Sequence, residues 1–215
     1  MPAARASSSR TRSARRRLRA ATAALAAVAL AGSLAACTAQ NDDLVDAYRE
    51  GDTSGFVSRD FAATEIALDA RDEAIVFSGT GVDGSTITSD DMLGDVVVVN
   101  FWYAGCGPCR AEAPFLQEAN EEFADADVSF LGVNIYDEAA TAESFDRTYG
   151  ITYPSVLAHR DPDLKLAFAE VTSLQAVPTT LVLDAEGRLA ARIIGQLPDA
   201  SILTTLVRDT LAETP

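Results

Sequence analysis

The chain has 215 residues, 48% of them hydrophobic and 23% charged, enough for one ordinary soluble domain with extensions. Its formal net charge is −15. A surface that acidic repels nucleic acid and anionic lipid head groups, so neither is an expected partner.

Residues 1–36 are a different kind of sequence from the rest. They hold seven arginines (Arg5, Arg10, Arg12, Arg15, Arg16, Arg17 and Arg19) and no acid, followed by an Ala-rich apolar run with Leu25, Val28, Leu30 and Leu34. A basic head, an apolar middle and small residues at the end make the plan of an export signal. The run closes on Leu34-Ala35-Ala36-Cys37, which resembles the lipobox of bacterial lipoproteins. That resemblance implies cleavage before Cys37 and a diacylglyceryl group on its sulfur. The protein would then be anchored to the outer face of the cytoplasmic membrane of a bacterium. A plain secretory signal, or a retained signal anchor, is the alternative. Loss of residues 1–36 would leave 10 basic against 32 acidic residues, a net −22. The lipid, not surface charge, would hold such a chain at the membrane.

Residues 37–60 are polar with little apolar periodicity and read as a flexible tether. Residues 61–215 read as the folded domain. Within it, residues 74–88 have the Gly-rich turns of a small hairpin. Residues 95–102, DVVVVNFW, form a nearly continuous β-branched run, as in a strand covered on both faces. Residues 109–124 carry Phe115, Leu116, Ala119 and Phe123 at helical spacing. A second buried strand follows at 128–136 and a helix with a Gly stop at 141–150. A short strand at 155–157 and a short helix at 164–170 come next. A hairpin over 179–195 and an amphipathic helix over 199–213 close the chain. This alternation implies an α/β fold with a mixed central sheet flanked by helices.

The cysteine pair Cys106–Gly107–Pro108–Cys109 sits where the buried strand gives way to a helix. Three uses are open to it: a metal clip, a structural disulfide or a redox couple. A structural zinc ion needs a full tetrahedral ligand set, and the only histidine, His159, is remote in sequence; no metal is expected. A disulfide across so short a loop constrains the unfolded chain little. The redox use has the most physical support. Unpaired amides and the positive end of a helix dipole favour a thiolate at Cys106, and Cys109 lies inside the first turn. The first sulfur can attack a disulfide and the second can resolve the mixed disulfide.

The run NFWYAGCGPCRAEAP, the later Val177-Pro178-Thr179-Thr180 and the closing β-β-α order resemble a thioredoxin-like fold. More narrowly they resemble the TlpA/ResA branch of extracytoplasmic thiol–disulfide oxidoreductases, with an N-terminal β-hairpin and a central αβ insertion between Tyr136 and Val177. The resemblance implies that Cys106 is the nucleophile and Cys109 the resolving thiol. It implies that Glu112, one turn after Cys109, is a buried acid that tunes the thiols and moves protons. It implies a cis-Pro178 beside the pair, with the Val177 backbone and Trp102 at the substrate surface. One departure is Gly105, where many relatives place a Trp directly before the first cysteine. The implied cofactor is none beyond the redox-active disulfide itself. The implied partners are protein thiols and disulfides, with apocytochrome c as one client, and a membrane electron donor of the CcdA type. The chain is expected to act as a monomer. The alternatives are an oxidant that forms disulfides in secreted proteins and, in another class, a non-catalytic binding or chaperone lipoprotein.

Overall fold

A computed structural model describes residues 57–58, 61–174 and 176–213. The expected export signal, Cys37 and most of the expected tether lie outside the described residues. Strands run over Val57–Ser58 (β1), Phe61–Glu65 (β2), Ser78–Thr80 (β3), Thr86–Thr88 (β4), Val96–Trp102 (β5), Val128–Asn134 (β6), Ser155–Leu157 (β7), Thr179–Leu183 (β8) and Leu189–Gly195 (β9). Helices run over Gly107–Glu122 (α1), Ala139–Tyr149 (α2), Pro162–Phe168 (α3) and Ser201–Ala212 (α4).

Seven strands form one mixed sheet in the order β1-β2-β9-β8-β5-β6-β7, and β3 pairs with β4 in a separate hairpin. The β5-β6-β7 side is parallel and the rest antiparallel. The expected thioredoxin-like α/β fold is the fold observed. Two elements at the start differ from expectation. β1 lies inside the stretch read as tether, and β2 extends the sheet by pairing with β9. β1 is a two-residue strand at the edge, and β2 buries only Phe61 and Ala63 in the core, too short an apolar alternation to mark a strand by sequence.

Every residue of β5 is buried, and its alternation decides what faces what. Val96 and Val98 join Leu116, Ala119, Leu203, Leu206 and Val207 in a core shared with α1 and α4. Val97, Val99 and Phe101 point the other way, into a core with Leu164 and Phe168 of α3. Burying one such side chain stabilises the fold by about 1.5–3 kcal/mol. The parity that points Val96 and Val98 toward α1 carries Asn100 and Trp102 to the same side. A polar group and the indole therefore arrive beside the cysteine pair at the open end of β5. α2 packs there too: Trp102, Cys106, Cys109, Ala113, Ala142 and Phe145 form a third cluster.

Candidate active site

β5 ends at Trp102, and the chain crosses Tyr103, Ala104 and Gly105 before α1 begins. The crossing is pinned twice: the Asp137 carboxylate accepts the Ala104 N–H at 2.6 Å, and the Cys106 N–H donates to the Tyr103 carbonyl at 3.1 Å. Cys106 is the N-cap of α1, and its sulfur accepts the Cys109 N–H at 3.1 Å. Pro108 occupies the first turn, where a backbone N–H has no helical partner to lose. Cys106 and Cys109 are joined as a disulfide with Cα atoms 5.2 Å apart. Both are nearly enclosed, 4% and 2% exposed. The surface around them is formed by exposed Gly105, Gly107 and Pro108. A Cβ on Gly107 would meet only the Arg110 guanidinium, at 3.9 Å, so this edge of the pair is uncrowded.

After reduction, a Cys106 thiolate would sit where the helix dipole and an amide N–H both favour negative charge. Glu112 is fully buried one turn beyond Cys109. Its Oε1 accepts from Asn100 Nδ2 and its Oε2 from the Leu197 N–H, each at 2.9 Å. Among the described residues no cation pairs with it. Burial pushes its carboxyl up to about 7, against the opposing pull of the Leu197 and Asn100 hydrogen bonds. Glu112 thus changes charge in the range where thiols exchange protons.

The Val177–Pro178 peptide is cis, and Val177 packs against the cluster that holds both cysteines. The Val177 N–H and C=O make no hydrogen bond to a described residue, while the Pro178 carbonyl accepts from Gly195 at 2.9 Å. Trp102 is 4% exposed and stacks on Phe145 with ring centroids 4.2 Å apart. Its indole therefore packs behind the pair and offers a bound protein little surface. The structure brings Cys106, Cys109, Trp102 and Val177 into one cluster, with Glu112 buried beneath Cys109 on the same helix.

Asn100 escaped the sequence reading. Its Nδ2 also donates to Thr180 Oγ1, at 3.1 Å, so it ties Glu112 to the strand that follows the cis-proline. A single asparagine closing a run of valines was the available sign, because an unpaired amide in a strand buried on both faces would be costly. Among the described residues no group of His, Cys, Asp and Glu is arranged to hold a metal ion. No helix among them is long and apolar enough to cross a membrane.

The sequence profile of the Redoxin family matches residues 63–207, more than half of the chain. Thiol-disulfide oxidoreductase ResA of Bacillus subtilis is 27% identical over 120 residues, covering 56% of this chain and 64% of that protein. The chain thus spans less than two thirds of that relative's length. The structure of a DsbF homologue from Corynebacterium diphtheriae is 28% identical, with a TM-score of 0.61 over 68% of this chain and 92% of that one. A secreted thiol-disulfide isomerase from Corynebacterium glutamicum is 27% identical, with a TM-score of 0.65 over 74% of this chain and 99% of that one.

Proposed function

The chain belongs to the Redoxin family, and on that premise we propose that it is a thiol–disulfide oxidoreductase reducing disulfides of exported proteins outside the cytoplasmic membrane. The observation that carries this reading is the Cys106–Cys109 couple at the head of α1, with Glu112 buried beneath it. The reduced Cys106 thiolate attacks a client disulfide and forms a mixed disulfide, releasing one client thiolate. Cys109 then gives up its proton and attacks Cys106 Sγ, which closes the disulfide seen here and releases the second client thiolate. Glu112, neutral below about pH 7 and ionised above it, is the group placed to take and return that proton. The Val177 N–H and C=O offer an extended client segment strand-like hydrogen bonds beside the pair. The redox couple is the disulfide itself, and the chemistry calls for no cofactor.

The finer assignment rests on the resemblance to the TlpA/ResA branch and on the Bacillus subtilis relative. It gives apocytochrome c as a client, whose CxxCH thiols must be reduced before haem attachment. It gives a membrane thiol transporter of the CcdA type as electron donor, and a lipid at Cys37 as the anchor. The Corynebacterium glutamicum neighbour, described as secreted, supports a place outside the cytoplasm. That neighbour's description as an isomerase also favours a second reading, in which the protein forms or reshuffles disulfides of secreted proteins. The test of the shared chemistry is insulin reduction with dithiothreitol as the electron source. The wild-type protein should accelerate it and Cys106→Ser should not; full activity in that variant would overturn the nucleophile assignment.

A further inference from the structure

Beside Cys109 lies a partly open cavity of about 10 Å³ lined by residues of α1 and α2, the end of β5 and the start of β7. Its polar lining is Asn100, Trp102, Cys109, Asp146, Tyr153 and Ser155. Two of these groups lack partners among the described residues: Asp146 Oδ1 and Ser155 Oγ are buried with no hydrogen bond. Ser155 is 3% exposed, so its hydroxyl cannot turn to solvent. Gly132 keeps this corner open, since a Cβ there would lie 2.1 Å from Ser155 Oγ and 2.8 Å from the Trp102 indole nitrogen. A buried hydroxyl or carboxylate oxygen left unpaired loses its hydration without compensation, which destabilises the fold. A space of this size with several polar walls is what one ordered water requires.

We propose that Asp146 and Ser155 hold a water in this cavity, through which Asp146 exchanges a proton with Cys109. Asp146 is thereby a proton-relay and positioning residue, acting on the resolving sulfur through a cavity that Asn100 lines and Glu112 does not. Its backbone is held in place, because its carbonyl accepts from the Ile151 N–H at 3.0 Å, and Gly150, at φ 72°, ends α2 on the same carbonyl. The charged and titratable groups around it are Glu143 and Arg147 on its own helix, Tyr153 before β7, and Cys109 and Glu112 on α1. Tyr153 feels both carboxylates: burial raises its hydroxyl first, and the charges of Glu112 and Asp146 add to that. Burial pushes the Asp146 carboxyl up to about 6, helped by Glu143 and opposed by Arg147. Two acids with separate titrations thus lie near the resolving cysteine, Glu112 one turn along its helix and Asp146 across the cavity.

Reduction of the pair by dithiothreitol shows where the proton goes. A thiolate of the reagent attacks Cys106 Sγ, and the Cys106–Cys109 bond breaks with its electron pair leaving on Cys109. The Cys109 thiolate takes a proton from the water, which is refilled from protonated Asp146. The second dithiothreitol thiol loses its proton to solvent and displaces Cys106, so the reagent is oxidised to its cyclic disulfide and the pair is reduced. Asp146 can donate below about pH 6 and not above it.

The inference rests on the redox reading of the pair, and its test needs no natural client. Reduction of the full chain by dithiothreitol is followed from about pH 5 to about pH 8 in wild type, Asp146→Asn and Ser155→Ala, with melting temperatures measured alongside. The ratio of wild-type to variant rate cancels the reagent's own titration. That ratio is expected to be about tenfold for Asp146→Asn below about pH 6, falling to about one near pH 8. Ser155→Ala should move the ratio in the same direction by about threefold. A ratio independent of pH in both variants overturns the relay. If Asp146→Asn fails to fold, the Ser155→Ala ratio alone decides. A protein that obeys these ratios yet never reduces insulin would sink the proposed function and leave the relay standing.

Discussion

The two ends of the central sheet each bury a carboxylate, and they treat it in opposite ways. At the open end of β5, Glu112 is fully buried with two neutral donors and no paired cation among the described residues, and its carboxyl is pushed up to about 7. At the other end, in the turn between β8 and β9, Asp184 is 3% exposed. It takes Arg71 Nη1 at 3.0 Å, Arg188 Nε at 2.9 Å and the Arg188 backbone N–H at 2.9 Å. Burial would raise Asp184, yet these hydrogen bonds and the Arg188 charge outweigh it and hold the group below its ordinary value. Burial alone therefore says little about a carboxylate's role. An acid given cations is locked in one charge state and serves the fold. An acid given only neutral donors is left able to change charge, which is what proton transfer needs.

The largest expected effect lies at the open end and on activity alone. Cys106→Ser should abolish disulfide reduction while leaving the melting temperature close to that of the reduced wild type, as read by insulin turbidity and calorimetry. The next lies at the opposite end and on stability alone. Asp184→Ala leaves Arg71, whose side chain is 3% exposed, without its buried partner. It should cost about 3 kcal/mol in denaturant unfolding, with unchanged activity per folded molecule.

Glu112→Gln sharpens the contrast through pH. The unfolded Glu112 titrates near 4.5 and the folded one near 7. Between those values the unfolded chain has released a proton that the folded one keeps, so stability falls as pH rises and levels off above about 7. The glutamine variant escapes that loss. Its gain over wild type should grow from about pH 4.5 to about pH 7 and reach on the order of 3 kcal/mol, while turnover slows and loses its pH step near 7. Asp184 has the reverse sign. Its folded value is depressed, so its contribution is present above its unfolded value and is lost as pH falls through the folded one. Acid titration of Asp184→Asn should show that part of the acid sensitivity removed. The smallest effect belongs to neither end. Asp161 caps α3 by accepting the Leu164 N–H at 2.9 Å. Asp161→Ala should cost about 1 kcal/mol and alter neither turnover nor its pH profile; a change in turnover would break the separation between acids that serve the fold and acids that serve the chemistry.

The open end was more legible in sequence than the other. The cysteine pair is a local pattern whose placement carries chemistry, and the resemblance to the TlpA/ResA branch points to Glu112 one turn on and to Val177-Pro178. The β5 run and the helix periodicity of α1 are local patterns too, and they place the pair at a strand-to-helix junction. The Asp184 network was not legible, because Arg71 and Asp184 are far apart in sequence and meet only once β2, β8 and β9 are assembled. The cavity beside Cys109 was hidden for the same reason. Asp146 reads as one more polar residue on α2 and Ser155 as the start of a short strand. Only the packing of α2 on Trp102 through Phe145, and the pairing of β7 with β6, bring the two to the cavity that Cys109 lines. Strands β1 and β2 went unseen because β1 has two residues and β2 offers only Phe61 and Ala63 as its buried alternation, too little signal to mark a strand.

The measurement that bears most directly on the proposed function is the reduction potential of the Cys106–Cys109 pair, taken by equilibrating the purified protein with dithiothreitol at about pH 7. A reductant of exported disulfides should lie near the thioredoxin value of about −270 mV or below. A value near the about −120 mV of a strong oxidant such as DsbA would contradict reduction and move the protein to disulfide formation.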